Sequence, residues 1–419
     1  MRITLPPALQ YRDYRRFWLA MLSAVGGFQI LTFGQFWLIH ELTGSTLYLG
    51  YVGLASAIPA ITLNLVGGVV ADRFDKVRLI TISQTASAML VLLLALLTIS
   101  EVVRPWHVLS IAVVAGAVNA FNQPARQSLY PQLVDKSVMG SAVALNSSIW
   151  QGTRILAPAI AGALIAAFGT ASAFFVAAGM MLVLSIVVNL LRVTSQTPGR
   201  SSSAIQDVGE GLRFIRTNPV FMFLISMTFF NSFFGMSYII MMPVFAKDIL
   251  GVGAEGQGVM MMAGGVGSLL MGLWLGTRSN YDQKGFVVIG GAVMTGLSLA
   301  AFALTSEYIS SFPLAIALML VTGVFTSTYM ISIMSSLQML VPNEMRGRVM
   351  GFYGMTWNIM PLGGMFAGAL AAATGTPWAV AIGGFIVAGF ALGPALMSSQ
   401  VRQLGQTIRA AEQVAARPA

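Results

Sequence analysis

The sequence contains no cysteine, which removes disulfides, thiol nucleophiles, iron-sulfur clusters and most structural zinc from its chemistry. Histidine is nearly as scarce, with His40 and His107 the only two. Neither a Gly-Lys-Ser/Thr phosphate loop nor a Gly-x-Ser-x-Gly nucleophile elbow occurs. Catalysis and ATP hydrolysis are therefore not expected, nor is a cofactor or a resident metal. Charge is the third shortage: 9% of residues are Asp, Glu, Lys or Arg, where a soluble domain carries roughly a quarter.

What fills the gap is apolar. Hydrophobic residues make up 56% of the 419 and the mean hydropathy is +0.79. Unpaired backbone amides are too costly in hydrocarbon for anything but helices or closed barrels, and a helical crossing needs about 20 apolar residues. The runs here are too long for barrel strands, so the composition predicts an all-α membrane protein. Reading runs against breaks gives about twelve transmembrane helices. The first six lie near 17–40, 46–70, 78–100, 106–125, 140–168 and 172–192. The second six lie near 219–246, 253–276, 286–305, 310–334, 348–373 and 377–398. Arg2, Arg12, Arg15 and Arg16 precede the first run as in a signal peptide, but its length and the lack of a prompt small-residue cleavage site predict a retained span.

Orientation follows from Lys and Arg, which favour cytoplasmic loops. With both termini inside, the basic residues of the N-terminus, of the 71–79 turn, Arg126 with Lys136, the 193–218 segment, Arg278 with Lys284, Arg346 with Arg348 and the tail all fall on the cytoplasmic side. Only Arg104 and Lys247 fall outside, and Arg154 falls within a span. The net charge of +9 is then a matter of topology, with anionic lipid as its neighbour, and no nucleic-acid partner is expected. The expectation is a multi-pass protein of the cytoplasmic (inner) membrane, monomeric in the lipid bilayer.

One extended polar stretch, Arg192 to Pro219, divides the chain. The expected organisation is an N-terminal six-helix bundle at 1–192, a cytoplasmic linker at 193–218, a C-terminal six-helix bundle at 219–400 and a cytoplasmic tail at 401–419. Within the linker Ile205, Val208, Leu212 and Ile215 recur at helical spacing beside Arg213 and Arg216, predicting either a short helix on the membrane surface or a solvated connector helix. The halves also echo each other. His-Glu-Leu-Thr-Gly at 40–44 aligns with Lys-Asp-Ile-Leu-Gly at 247–251, and Val134, Gly140 and Trp150 align with Val341, Gly347 and Trp357. After one dropped residue, Gly162, Gly169 and Thr170 align with Gly368, Gly375 and Thr376. A direct repeat of six spans relates the halves by an axis along the membrane normal and places a site between them.

The charged turn after the second span reads Gly68-Val-Val-Ala-Asp72-Arg73-Phe-Asp75-Lys76-Val-Arg78. It resembles the signature loop of the major facilitator superfamily, Gly-x-x-x-Asp-Arg-x-Gly-Arg-Lys, with Asp75 where Gly is usual and Val77 where a basic residue is usual. Other stretches are similar to the enterobactin-exporter-like and secretion-effector-like branch: Tyr11-Arg-Asp-Tyr-Arg-Arg-Phe-Trp18, Glu41-Leu-Thr-Gly-Ser45, Asn122-Gln-Pro-Ala-Arg126 and Pro342-Asn-Glu-Met-Arg346-Gly-Arg348. The resemblance covers the whole chain. It implies two pseudo-symmetric bundles that rock about a central cavity, a latch of Gly68, Asp72, Arg73, Lys76 and Arg78 that steadies the outward-facing state, and close helix approach at Gly68. A plain positive-inside loop would explain Lys76 and Arg78, but not an Asp-Arg pair after Gly-x-x-x. The matching turn of the second half has Asn280 in place of Asp72.

The fifth span reads Gly152-Thr-Arg154-Ile-Leu-Ala157-Pro158-Ala-Ile-Ala-Gly162 and resembles the Gly/Pro pattern of the superfamily's antiporters, with Ala157 and Ala161 replacing glycines. Small-residue packing with a proline kink explains it equally well. Arg154 falls near mid-membrane, where a cation costs at least about 2.5 kcal/mol and usually faces a pathway; it binds either an anionic substrate group or carbonyls and amides such as Gln151. Gln29, Gln35, Asn231 and Asn358 with Trp357 are candidates to line an amphipathic cavity, against the alternative that amides stitch helices together and aromatics face lipid. For proton coupling, which needs a carboxyl of raised pKa, Glu41 and Asp72 are the candidates, although Glu41 near a span end also reads as an ordinary hydrated carboxylate. The expected function is a secondary active transporter exporting a small amphiphilic, drug-like or siderophore-like compound by proton antiport with alternating access. An uptake carrier or facilitator on the same fold, and a non-transporting membrane scaffold, are the alternatives.

Overall fold

Chain segments that combine unbroken apolar runs with glycine or proline at their ends fold as long helices. The computed structural model describes residues 5–191, 204–277, 284–342 and 344–397, and among them there is no strand. The expected Asn280, the stretch 192–203 and the tail at 401–419 lie outside the described residues. Among the described residues, eleven helices are long and apolar enough to cross a membrane. Two compact units divide the chain: Met1–Gly199 with Val252–Met262, and Arg200–Gly251 with Ala263–Ala419.

In the first unit the helices are α1 Arg12–Thr43, α2 Thr46–Arg73, α3 Lys76–Ile99, α4 Pro105–Leu129, α5 Met139–Phe168 and α6 Thr170–Asn189. Their boundaries follow from residue chemistry. Gly44 ends α1 in the left-handed conformation, φ 59°, with its N–H on the His40 carbonyl, a backbone state that suits glycine. Asp75 caps α3 by accepting from the Arg78 amide at 2.8 Å, which gives a local reason for an acidic residue in the charged turn.

Lipid is as apolar as leucine, so helix pairing in a bilayer rests on close packing and hydrogen bonds. Here α2 and α4 touch backbone to backbone: a Cβ on Gly67 would lie 2.0 Å from the Ala120 oxygen, and one on Gly116 would lie 2.1 Å from the Ser56 oxygen. Around Gly68 there is open space, so the close approach implied for Gly68 falls one residue earlier. At the end of the unit where α1 begins, Tyr14 donates to the Ala142 carbonyl at 2.9 Å and Trp18 to the Leu145 carbonyl at 3.0 Å. These bonds satisfy the polar ends of two large aromatics while their rings pack.

The second unit contains α7 Ala204–Thr217, α8 Pro219–Phe230, α9 Tyr238–Val244, most of α10 Gly253–Thr277, α11 Lys284–Tyr308, α12 Phe312–Leu340, α13 Arg346–Trp357, α14 Met360–Thr374 and α15 Thr376–Met397. The helix expected within the linker is α7. Its Ile215 is buried and its Leu212 exposed. Glu210 pairs with Arg348 of α13 at 2.7 Å, and Gly211 lets Phe352 and the Arg348 stem come close.

Two expected spans are not uniform helices. The seventh passes through wide π turns at Asn231–Gly235 and Phe245–Ile249. Gly235 fits one of these turns because a Cβ there would meet the Asn231 Oδ1 at 2.5 Å, while Pro243 in α9 supplies no N–H to the ladder. The eleventh breaks between α13 and α14, where Pro361 stands at the start of α14 and again supplies no donor. Counting α13 with α14 as one crossing, the described helices match the twelve expected.

The repeat is visible in backbone geometry. Gly44 and Gly251 share left-handed φ values of 59° and 64°, and Gly169 and Gly375 share 79° and 86°. In the second unit α10 and α12 cross as tightly as α2 and α4, with a Cβ on Gly323 falling 1.9 Å from the Gly264 oxygen.

Candidate functional site

Three helices of the first unit converge on a cavity of about 100 Å³. From α1 come Phe17 and Met21, one turn apart. From the end of α4 and the turn after it come Gln123, Arg126, Gln127 and Tyr130, whose i, i+3, i+4, i+7 spacing sets them on one helical face. From α5 come Asn146 and Trp150, again one turn apart. The wall is therefore mixed: aromatic and thioether surface, three amides, a phenol and one guanidinium.

Arg126 is the only ionised side chain among these eight. Its Nε is shielded from solvent without a hydrogen-bond partner, and its Nη1 lies 3.9 Å from the Met21 sulfur, a weak acceptor. No ion pair reaches it among the described residues. The surrounding shell is well fixed: Ala125, Leu129, Ile149 and Phe17 belong to one buried core, and Tyr11 donates to Asp135 at 2.5 Å. Tyr11 lies ahead of α1, and its bond to the Asp135 carboxylate holds the phenol above the ordinary tyrosine pKa.

The cavity residues proposed from sequence do not line this space. Gln29 and Arg154 are half-buried, and Arg154 has interaction partners of its own. Gln35 is buried in α1 with its Nε2 unpaired. Asn231 is buried at the start of a π turn with its Oδ1 unpaired. Trp357 is half-buried at the end of α13 and Asn358 is exposed in the break that follows.

For the latch, Arg73 and Arg78 are exposed, Lys76 and Gly68 are half-buried, and the Asp72 side chain lies outside the described set. Glu41 is exposed near the end of α1 and accepts from the Thr170 hydroxyl of α6 at 2.8 Å. Sequence reasoning read Arg126 as one of the positive-inside charges and so missed the cavity. The signal was present as Gln123, Arg126, Gln127 and Tyr130 on one helical face, with Asn146 and Trp150 one turn apart in α5.

The family model that matches this chain makes it a transporter of the major facilitator superfamily, in keeping with its all-helical, repeated fold. The chain belongs to the transmembrane secretion effector family, whose model matches residues 4–415. It is 26% identical to the multidrug efflux pump Tap of Mycolicibacterium fortuitum, over 85% of this chain and 88% of that protein. It is 32% identical to the staphyloferrin A transporter of Staphylococcus aureus over a shorter stretch, 34% of this chain and 36% of that one. Its fold matches the inward-facing, unoccupied structure of a bacterial homologue of the human lysosomal transporter Spinster, with a TM-score of 0.73 at 14% identity, over 97% of this chain and 99% of that one.

Proposed function

We propose that this chain is an exporter of small amphiphilic organic compounds, driven by proton antiport through alternating access in the cytoplasmic membrane. The reading rests above all on a secretion-effector family match over residues 4–415 together with a relative named as a multidrug efflux pump that aligns over 85% of the chain. The mixed cavity supports it, because apolar walls with a few polar groups suit an amphiphile. In this mechanism Gly68, Asp72, Arg73, Lys76 and Arg78 bias one of two rocking states by making contacts in that state alone. Glu41 and Asp72 are the carboxylates assigned to proton exchange. A gradient worth about 2.3 kcal/mol per charge per 100 mV suffices to drive the cycle if one state holds the proton more tightly.

The test is a panel of amphiphilic compounds in a pump-deficient bacterial host, reading growth sensitivity and cellular retention. The wild-type chain is expected to lower retention of some compounds several-fold, a protonophore to restore it, and Asp72→Asn, Arg154→Ala and Glu41→Gln to reduce the effect. Everted vesicles that accumulate none of those compounds under an imposed proton gradient, with retention indifferent to protonophore, would overturn the reading.

A further inference from the structure

Among the eight residues of the cavity wall there is one cation and no carboxylate. Taking a guanidinium out of water is costly unless its donors are used, yet the Nε of Arg126 has no partner and Nη1 meets only a thioether at 3.9 Å. A structural arginine in a helical bundle would be expected to bind carbonyls or a carboxylate; none among the described residues accepts from this half-buried guanidinium. The space beside it, about 100 Å³, has room for several waters or one small polar group. It is well short of the roughly 300 Å³ or more that a whole drug-sized molecule fills.

We propose that Arg126 and the amides of Gln123, Gln127 and Asn146 bind the carboxylate of an anionic amphiphile, whose aryl or alkyl body lies along Trp150 and Phe17. This assignment rests on the transport reading above and adds the charge class of the cargo. Guanidinium and carboxylate match as a planar, bidentate pair, and the three amides supply N–H donors for the remaining lone pairs. A single positive group balances one negative charge. A phosphate monoester would bring a second charge for which the lining residues hold no second cation, which is why a carboxylate fits better. A cationic amphiphile would meet repulsion from Arg126 with no carboxylate among the lining residues to offset it.

Equilibrium binding to the full chain in phosphatidylcholine nanodiscs tests this with four probes that share one ring system: 1-naphthoate, 1-naphthamide, 1-naphthylmethylammonium and 1-naphthyl phosphate. The wild type is expected to bind 1-naphthoate at least tenfold more tightly than each of the other three. Arg126→Gln should abolish that preference while leaving the weaker 1-naphthamide binding in place, and Arg126→Lys should keep part of it as a point charge without the planar fork. Thermal melting of each variant establishes that it is folded. The proposal is overturned if a folded wild type does not bind 1-naphthoate, if the amide, the ammonium or the phosphate binds as tightly, or if Arg126→Gln keeps the preference. Binding needs no gradient and no export. Loss of export in the retention panel with the naphthoate preference intact therefore refutes the transport reading alone, and the reverse pattern refutes the carboxylate site alone.

Discussion

The two halves of the repeat treat the same positions in opposite ways. Val134 and Val341, Gly140 and Gly347, and Trp150 and Trp357 are each 207 residues apart, and the same step carries the cavity wall of the first unit into the second. Phe17 becomes Leu224, Arg126 becomes Ile333, Tyr130 becomes Leu337, Gln123 becomes Met330 and Asn146 becomes Tyr353. Leu224, Ile333 and Leu337 are fully buried in one hydrophobic core, with Met330 and Tyr353 packed against it. The repeat keeps the backbone plan, including its left-handed glycines, while at these positions one copy sets a cation and amides beside a cavity and the other packs apolar side chains into a core. The chemistry at these positions therefore depends on which side chains the shared backbone is given.

The sharpest way to break that contrast is to make the first unit resemble the second. Arg126→Ile is expected to reduce export at least tenfold in the retention panel while leaving the melting temperature unchanged or higher, since it removes a cation whose Nε has no hydrogen-bond partner and supplies the side chain buried at the matching position of the second unit. A variant that melts lower and exports normally would mean that Arg126 is structural.

A second test asks whether the shared scaffold is as symmetric as its glycines suggest. Gly116→Ala and Gly323→Ala each push a methyl group onto a facing backbone oxygen, at 2.1 Å and 1.9 Å, and each should destabilise by about 1–3 kcal/mol in thermal unfolding. Gly68→Ala, with open space around it, should be neutral or slightly stabilising, because alanine is the better helix former by up to ~1 kcal/mol. Equal losses at all three positions would refute the assignment of close contact to Gly116 and Gly323 in contrast to Gly68.

The smallest effect is expected at Tyr11. Its phenol donates to Asp135 and is held above the ordinary tyrosine value, so the neutral form is favoured in the folded state. Its contribution is complete below about pH 10, the unfolded value, and disappears as pH rises through the higher folded value. The difference in stability between wild type and Tyr11→Phe should accordingly be present near neutrality and vanish in strong alkali. A difference that persists there would mean that the hydroxyl acts by some means other than donating a proton to Asp135.

The helices and the repeat were legible because they rest on long-range averages: runs of about twenty apolar residues, and glycine at the ends of α1 and α5 and at their counterparts near 251 and 375. The short helix α7 was legible from the spacing of Ile205, Val208, Leu212 and Ile215. The breaks in the seventh and eleventh spans were not. Pro243 and Pro361 were visible, but whether a proline kinks a helix, widens one turn or splits it depends on neighbours such as the Asn231 side chain beside Gly235. The cavity was hidden for a related reason. Polarity in the middle of a span attracts notice, whereas Arg126, near a helix end, has an adequate explanation in topology alone. Only the convergence of α1, α4 and α5 separates it from the other basic residues.

Because α2 and α4 meet at two points without clearance, Gly67 on Ala120 and Gly116 on Ser56, they have little freedom to slide or twist past one another. The charged turn hangs from the end of α2 and the guanidinium of the cavity from the end of α4, so both are fittings on a single stiff plank. If the turn acts as a latch and the cavity holds a guest, as proposed above, this plank joins the two with no relay of side-chain rearrangements between them.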